Sequence, residues 1–161
     1  MKEIDDCGKD ATDEIFLSRE AKMSDMLKRL DELEVRVKDL ESTATKYQSW
    51  QEVLQTNQST FDNLSQLRED FNIRGAMWRS LKEWESLTND WVKTQFALID
   101  APSIEKQAVT FSKVANRVEK NLPENPVAQR LKDLVETFKG TMPIVVALRC
   151  PDLKDNHWKE I

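Results

Sequence analysis

The stretch Met23–Tyr47, MSDMLKRLDELEVRVKDLESTATKY, decides the fold. Met23, Met26, Leu30, Leu33, Val37, Leu40, Ala44 and Tyr47 follow one another in alternating steps of three and four. That spacing puts all of them on one stripe of an α-helix, the a and d seam of a heptad repeat. A half-buried strand would instead alternate in twos. Asp25, Glu32 and Glu34 each stand four residues before a base, at Arg29, Arg36 and Lys38. Acid before base is the favourable order on a helix surface, though each pair contributes only about 0.2–0.5 kcal/mol. The pairs support the helix; the seam requires it.

Downstream the pattern widens. Trp50, Leu54, Phe61, Leu64, Leu67 and Phe71 fit the broader face of a packed globular helix. Between Gly8 and Gly75 there is neither Pro nor Gly. One helix, or two with a soft break near QTNQST, therefore spans about residues 14–73, roughly 90 Å at 1.5 Å per residue. Beyond Gly75, Trp78, Leu81, Trp84, Leu87, Trp91, Phe96 and Ile99 predict a thick seam with three tryptophans on one helical face. DAPS ends that helix, and Asp100 or Ser103 caps the next, which buries Ile104, Ala108, Phe111, Val114, Ala115, Val118 and Leu122. NLPENP is a turn in which Asn125 caps a helix opened by Pro126. That helix buries Val127, Leu131, Leu134, Val135 and Phe138 and stops at Gly140. MPIVVAL reads as a further short helix ended by Pro151, with Asp155 capping one more.

Upstream of the seam, residues 1–12 are polar, contain Gly8 and read as a loose lead-in. Residues 13–59 form a long helical, tail-like segment and residues 60–161 a second helical bundle. The fold class is all-α: an elongated antiparallel helical bundle with a long N-terminal helix or coiled-coil-like segment.

Composition narrows the function. Charged residues are 33% and hydrophobics 39% of 161, with only 3 Gly and 5 Pro, which favours helices over sandwiches or barrels. The net charge of −5 disfavours nucleic acid, acidic membranes and acidic filament surfaces as direct partners. The two cysteines, Cys7 and Cys150, fit no zinc spacing and read as reduced thiols. No apolar run approaches the length of a membrane span. The glycines are far apart and none forms a phosphate loop with Lys-Ser or Lys-Thr, so no ATP site is expected. No HExxH, CxxC or nucleophile elbow occurs. A catalytic or metal role could fall only on His157, with Asp155 and Cys150 as neighbours. Packing beside Trp158 at a helix start is the better reading of that histidine. No catalytic residue, cofactor or metal ligand is assigned.

Two blocks carry a family resemblance. FNIRGAMWRSLKEWESLTNDWVKTQFALID resembles the start of the linker region of dynein heavy chains, with Trp78, Trp84, Trp91 and Phe96 at matching places. FKGTMPIVVALRCPDLKDNHWKEI is similar to a more specific signature of that family through Phe138, Pro143, Leu148, Arg149, Pro151, Leu153, His157 and Trp158. Asn156 stands where the family usually has Arg. The resemblance covers about residues 60–161 and looks more axonemal than cytoplasmic. It implies a mechanical element rather than an enzyme: the N-terminal part of a linker joining a tail to a ring of AAA+ modules. ATP, Mg and microtubule contact would then belong to the parent motor. The AAA+ ring of the same heavy chain would be the partner, with the dynein tail or accessory subunits as others, in the cytoskeleton of a cilium or flagellum. DAPS, NLPENP and KGTMP would be the junctions where such a lever could bend. The alternative is a coiled-coil or spectrin-like scaffold without motor context. The heptad seam leaves three partners open: later helices of its own chain, a second copy, or an accessory subunit.

Overall fold

The computed structural model describes residues 2–148. These form five α-helices, α1 (Lys2–Ala11), α2 (Met23–Val53), α3 (Asp62–Lys93), α4 (Ala101–Asn121) and α5 (Pro126–Leu148), with short 3-10 helices at Glu14–Leu17 and Phe96–Leu98. No strand occurs among the described residues. The chain divides into two units between Arg79 and Ser80, so α3 gives residues 62–79 to the first and 80–93 to the second.

In the first unit α2 is the central element. Met26, Leu30, Leu33, Val37 and Ala44 of the seam are buried, Met23 and Leu40 are half-buried, and Tyr47 is exposed. α1 runs antiparallel along one side of α2. Asp13, just beyond α1, accepts from Arg29 at 2.7 Å, and Asp10 from Arg36 at 2.5 Å, while Glu3 and Asp6 lie near Thr43 and Asp39. The loose lead-in expected over residues 1–12 is therefore a docked helix. Its signal was short but present: Ile4, Cys7 and Ala11 are spaced three and four apart and are all buried. The same contacts alter the expected ion pairs. Arg29 and Arg36 reach across to α1 and the turn after it, whereas Lys38 keeps its helical partner Glu34 at 2.8 Å.

α3 returns antiparallel along α2, and Asn63 near its start donates to Asp5 of α1 at 3.5 Å. Arg68 grips Glu41 with two guanidinium nitrogens, and Arg79 donates to Glu34 at 2.6 Å. Leu64, Leu67, Phe71, Met77 and Trp78 are buried, and the Trp78 indole donates to the Phe16 carbonyl at 3.0 Å. Gly75 does not interrupt α3.

The expected soft break lies at residues 54–61, and its start has a specific geometry. The Gln55 N–H bonds the Glu52 carbonyl and the Thr56 N–H the Gln51 carbonyl, closing α2 in a Schellman turn. Gln55 sits at φ 53°, where a Cβ is unfavourable. Replacing Gln55 with Gly is expected to raise stability by about 0.5–1 kcal/mol, read as a higher denaturant midpoint at unchanged slope.

Two acids contribute to the acid sensitivity of this unit. A hydrogen bond from the Ile15 backbone, then one from Arg29, holds the Asp13 carboxyl below its usual range. Bonds from Lys38 and Arg79 do the same for Glu34. Depressed folded values stabilise the native state above the unfolded pKa, near 4. That contribution is lost as pH falls through the folded values. Both groups are substantially solvated, so the expected loss is modest. Unfolding at a series of pH values should show no slope from these groups between pH 7 and about 5, then declining stability below about 4; Asp13→Asn should flatten the decline.

In the second unit α4 and α5 are antiparallel. Glu136 accepts from Ser112 at 2.6 Å, and Lys132 donates to Glu119 at 2.7 Å. Asp100 caps α4 through the Ser103 N–H, and Asn125 caps α5 through the Ala128 N–H at 2.8 Å, as those residue types predict. The stop expected at Gly140 does not occur. α5 continues through Gly140 and Pro143 to Leu148, so KGTMP is helix rather than a junction. Tertiary burial outweighs the local propensities there: Met142 packs with Ala101 and Ile104, and Val145 lies against them.

Candidate functional site

Trp84 is the centre of the second unit. It lies buried on α3, and three rings meet it edge to face: Trp91 one heptad later at 5.8 Å, Phe111 of α4 at 5.2 Å and Phe138 of α5 at 5.3 Å. Trp91 stacks on Phe138 at 5.1 Å. Edge-to-face contact sets the positive rim of one ring against the negative face of another, adding about 0.5–1.5 kcal/mol per pair beyond burial. One side chain thereby joins the three helices of this unit.

Seven residues separate Trp84 from Trp91, so they share a face; six separate Trp78 from Trp84, a rotation of about 240°. The expectation of three tryptophans on one face is thus corrected: Trp78 bonds Phe16 in the first unit, and only Trp84 and Trp91 form the seam. Phe138 joins them, while Phe96 is half-buried in the second 3-10 helix. Pro143 is exposed and Leu148 half-buried on α5. Arg149, Pro151, Leu153, His157 and Trp158 lie outside the described residues, as do Cys150 and the readings of His157. The spacing of Phe111 marks it as a core position of α4, and no local signal reveals that it faces Trp84.

Beside the cluster, α3 and α5 leave an open groove lined by Trp84, Thr88, Leu134, Phe138 and Thr141. Arg130 and Glu85, paired at 2.7 Å, close its rim. The groove brings no set of titratable groups to one point. Among the described residues no group of His, Cys, Asp and Glu could hold a metal ion. Cys7 is buried and free, and burial, only partly opposed by the Arg36 charge, pushes its thiol up, away from the reactive thiolate. No described helix is long and apolar enough to cross a membrane.

Among the described residues, Trp78, Trp84, Trp91 and Phe138 are thus buried or half-buried packing residues of α3 and α5. Residues 64–161 match the family described as "Dynein heavy chain, N-terminal region 2". The chain is 32% identical to human dynein axonemal heavy chain 6 over 132 residues, 82% of this chain and 3% of that protein. It is 25% identical over 123 residues to the dynein-1-beta heavy chain of the flagellar inner arm I1 complex of Chlamydomonas reinhardtii, covering 76% of this chain and 3% of that one. Human dynein axonemal heavy chain 1 is 22% identical over 151 residues, 91% of this chain and 4% of that protein. The chain belongs to the dynein heavy chain family, matches its N-terminal region and has axonemal and flagellar relatives. It spans only about 3% of the length of the relatives it matches first. No solved structure matches it.

Proposed function

We propose that this segment is part of the mechanical linker of an axonemal dynein motor, the lever that joins the tail to the AAA+ ring and transmits nucleotide-driven movement. The observation that carries the reading is the match of residues 64–161 to N-terminal region 2 of the heavy chain. Packing is consistent with it. A lever must resist bending, and a core as dense as an organic crystal resists distortion because deformation forfeits contacts. Trp84 and its three ring partners supply such a core. ATP and Mg would be bound by the AAA+ ring, the direct partner of this segment, and microtubules by more distant parts of the heavy chain. The axonemal and flagellar names of the relatives support a motor of a cilium or flagellum.

The test uses the intact heavy chain. Trp84→Ala should slow microtubule gliding severalfold while ATP turnover persists, because chemistry and its mechanical transmission would be uncoupled. Gliding at the normal rate from a variant with a measurably weakened segment would overturn the lever reading. Coding sequence downstream of Ile161 should specify AAA+ modules with Walker motifs; a further helical repeat in their place would favour the scaffold.

A further inference from the structure

α4 carries a stripe of bare positive charge in a chain whose net charge is −5. Lys106, Lys113, Arg117 and Lys120 follow at steps of seven, four and three, and all four are exposed. Those steps keep them within an arc of about 60° along roughly 21 Å of helix. Lys106, Lys113 and Arg117 have no acid three or four residues away on either side. Among the described residues none of the four forms an ion pair. Elsewhere Arg29, Arg36, Arg68, Arg79 and Arg130 each reach a carboxylate on another element. Glu119 of α4 lies off the stripe and is taken by Lys132 at 2.7 Å. Lys113 with Arg117, and Arg117 with Lys120, are like charges at helical-neighbour spacing, which weakens a helix. The fold itself gains nothing from the stripe. Along it runs an open groove between α3 and α4, lined among others by Leu87, Lys106, Thr110, Phe111 and Val114, with Glu83 contributed by α3. Gln107 lines the same groove. Its amide nitrogen holds Ser103 at 3.5 Å, while its side-chain oxygen is shielded from water and receives no hydrogen bond. An acceptor left in that state is costly, so the amide is poised to turn toward a donor.

We infer that α4 and this groove receive an acidic amphipathic helix of a partner protein. Its apolar side chains lie on Leu87, Phe111 and Val114, and its carboxylates face Lys106, Lys113, Arg117 and Lys120. Helix-in-groove docking takes its anchors from one face of the incoming helix, so the acids it presents are spaced three, four or seven apart, as the bases are. Glu83 repels acid on the α3 side of the groove. The partner's acids are therefore confined to one flank, and that fixes which way it lies. The chemistry favours protein over a nucleic acid or an anionic membrane. A phosphate makes no use of an apolar floor and offers Gln107 no donor. The stripe is also hemmed by Glu83, Glu105 and Glu119, which a polyanion has to approach together with the bases. Exposed pairs of this kind speed encounter and set orientation, so the complex is a transient one. The inference does not depend on the lever reading.

The test is fluorescence anisotropy of a labelled helical peptide, with Glu along one flank at the spacing of the stripe and Leu on its apolar face, titrated with the 161-residue chain. Binding at about 10–100 μM is expected at low salt, weakening several-fold as salt rises to about 300 mM. Lys113→Glu combined with Arg117→Glu should weaken it at least about tenfold without lowering the melting temperature, since both side chains are exposed and their mutual repulsion is no part of the core. Lys28→Glu, equally exposed but on α2, should leave binding unchanged. A peptide with Ser in place of Leu should bind at least about tenfold more weakly. Equal binding by the Ser peptide would reduce the effect to charge attraction and overturn the groove. No binding by about 1 mM, or unchanged binding by the double variant, overturns the inference as well. So does tighter binding of a DNA duplex, or of phosphatidylcholine vesicles containing phosphatidylserine, than of the Leu peptide.

Discussion

Replacing Trp84 with Ala should destabilise the chain by about 3–5 kcal/mol, the range for removing a large buried aromatic. Trp84 is expected at the upper end because its loss removes three ring contacts as well as buried area. The neighbours cannot readily close the gap. Phe111 and Phe138 stand on two different helices, each fixed by its own cap, at Asp100 and Asn125. Against a total stability of about 5–15 kcal/mol, such a loss removes a large share. A thermal melt should shift down by roughly 10 °C. Near-ultraviolet dichroism should lose much of its aromatic signal while helical content at low temperature is kept. Trp84→Phe retains one ring and should recover part of the loss. A Trp84→Ala variant weakened by less than about 1 kcal/mol would show that the aromatic cluster is not the keystone of this unit.

The second large effect is expected at Phe16. It is wholly buried in the 3-10 helix that links α1 to α2, and Arg29 lies over its ring at 5.4 Å. Its carbonyl receives the Trp78 indole N–H, so the residue ties this short segment to α2 by its ring and to α3 by its backbone. Phe16→Ala should cost about 3–5 kcal/mol through the cavity left behind. The backbone acceptor survives the substitution, so Trp78 keeps a possible partner. Trp78→Phe makes the complementary change, removing the donor while keeping much of the ring. It should cost less, about 1–3 kcal/mol, because a buried carbonyl loses its partner. Denaturant midpoints of the two variants check the order. A larger loss from Trp78→Phe would mean that the hydrogen bond, not the buried ring, fixes the segment.

The helical architecture was legible wherever the signal is local. The heptad stripe named the core face of α2 as far as Ala44, and the residue types at Asp100 and Asn125 named their caps. Ambiguity entered where a distant element decides the outcome. The Arg29 and Arg36 partners come from α1 and the turn after it, and no spacing within α2 could reveal them. Trp50 and Leu54 have the pattern of a packed face, yet none of the described residues covers them, because periodicity gives a face without giving its occupant. Gly140 and Pro143 looked like punctuation because propensity is a weak term beside the burial of Met142. The aromatic site was half legible. The seven-residue spacing of Trp84 and Trp91 puts them on one face, but their partners Phe111 and Phe138 come from helices farther along the chain.

Pro143, exposed within α5, has a consequence for how that helix gives way. It has no N–H for the Lys139 carbonyl, so the ladder of amide bonds along α5 lacks a rung there. When a helix is pulled along its axis, load is shared by the successive rungs, and a missing one concentrates it. α5 is therefore notched rather than uniform. Under tension it should yield first beside Lys139, letting the stretch from Ile144 to Leu148 peel away while the caps at the far end still hold.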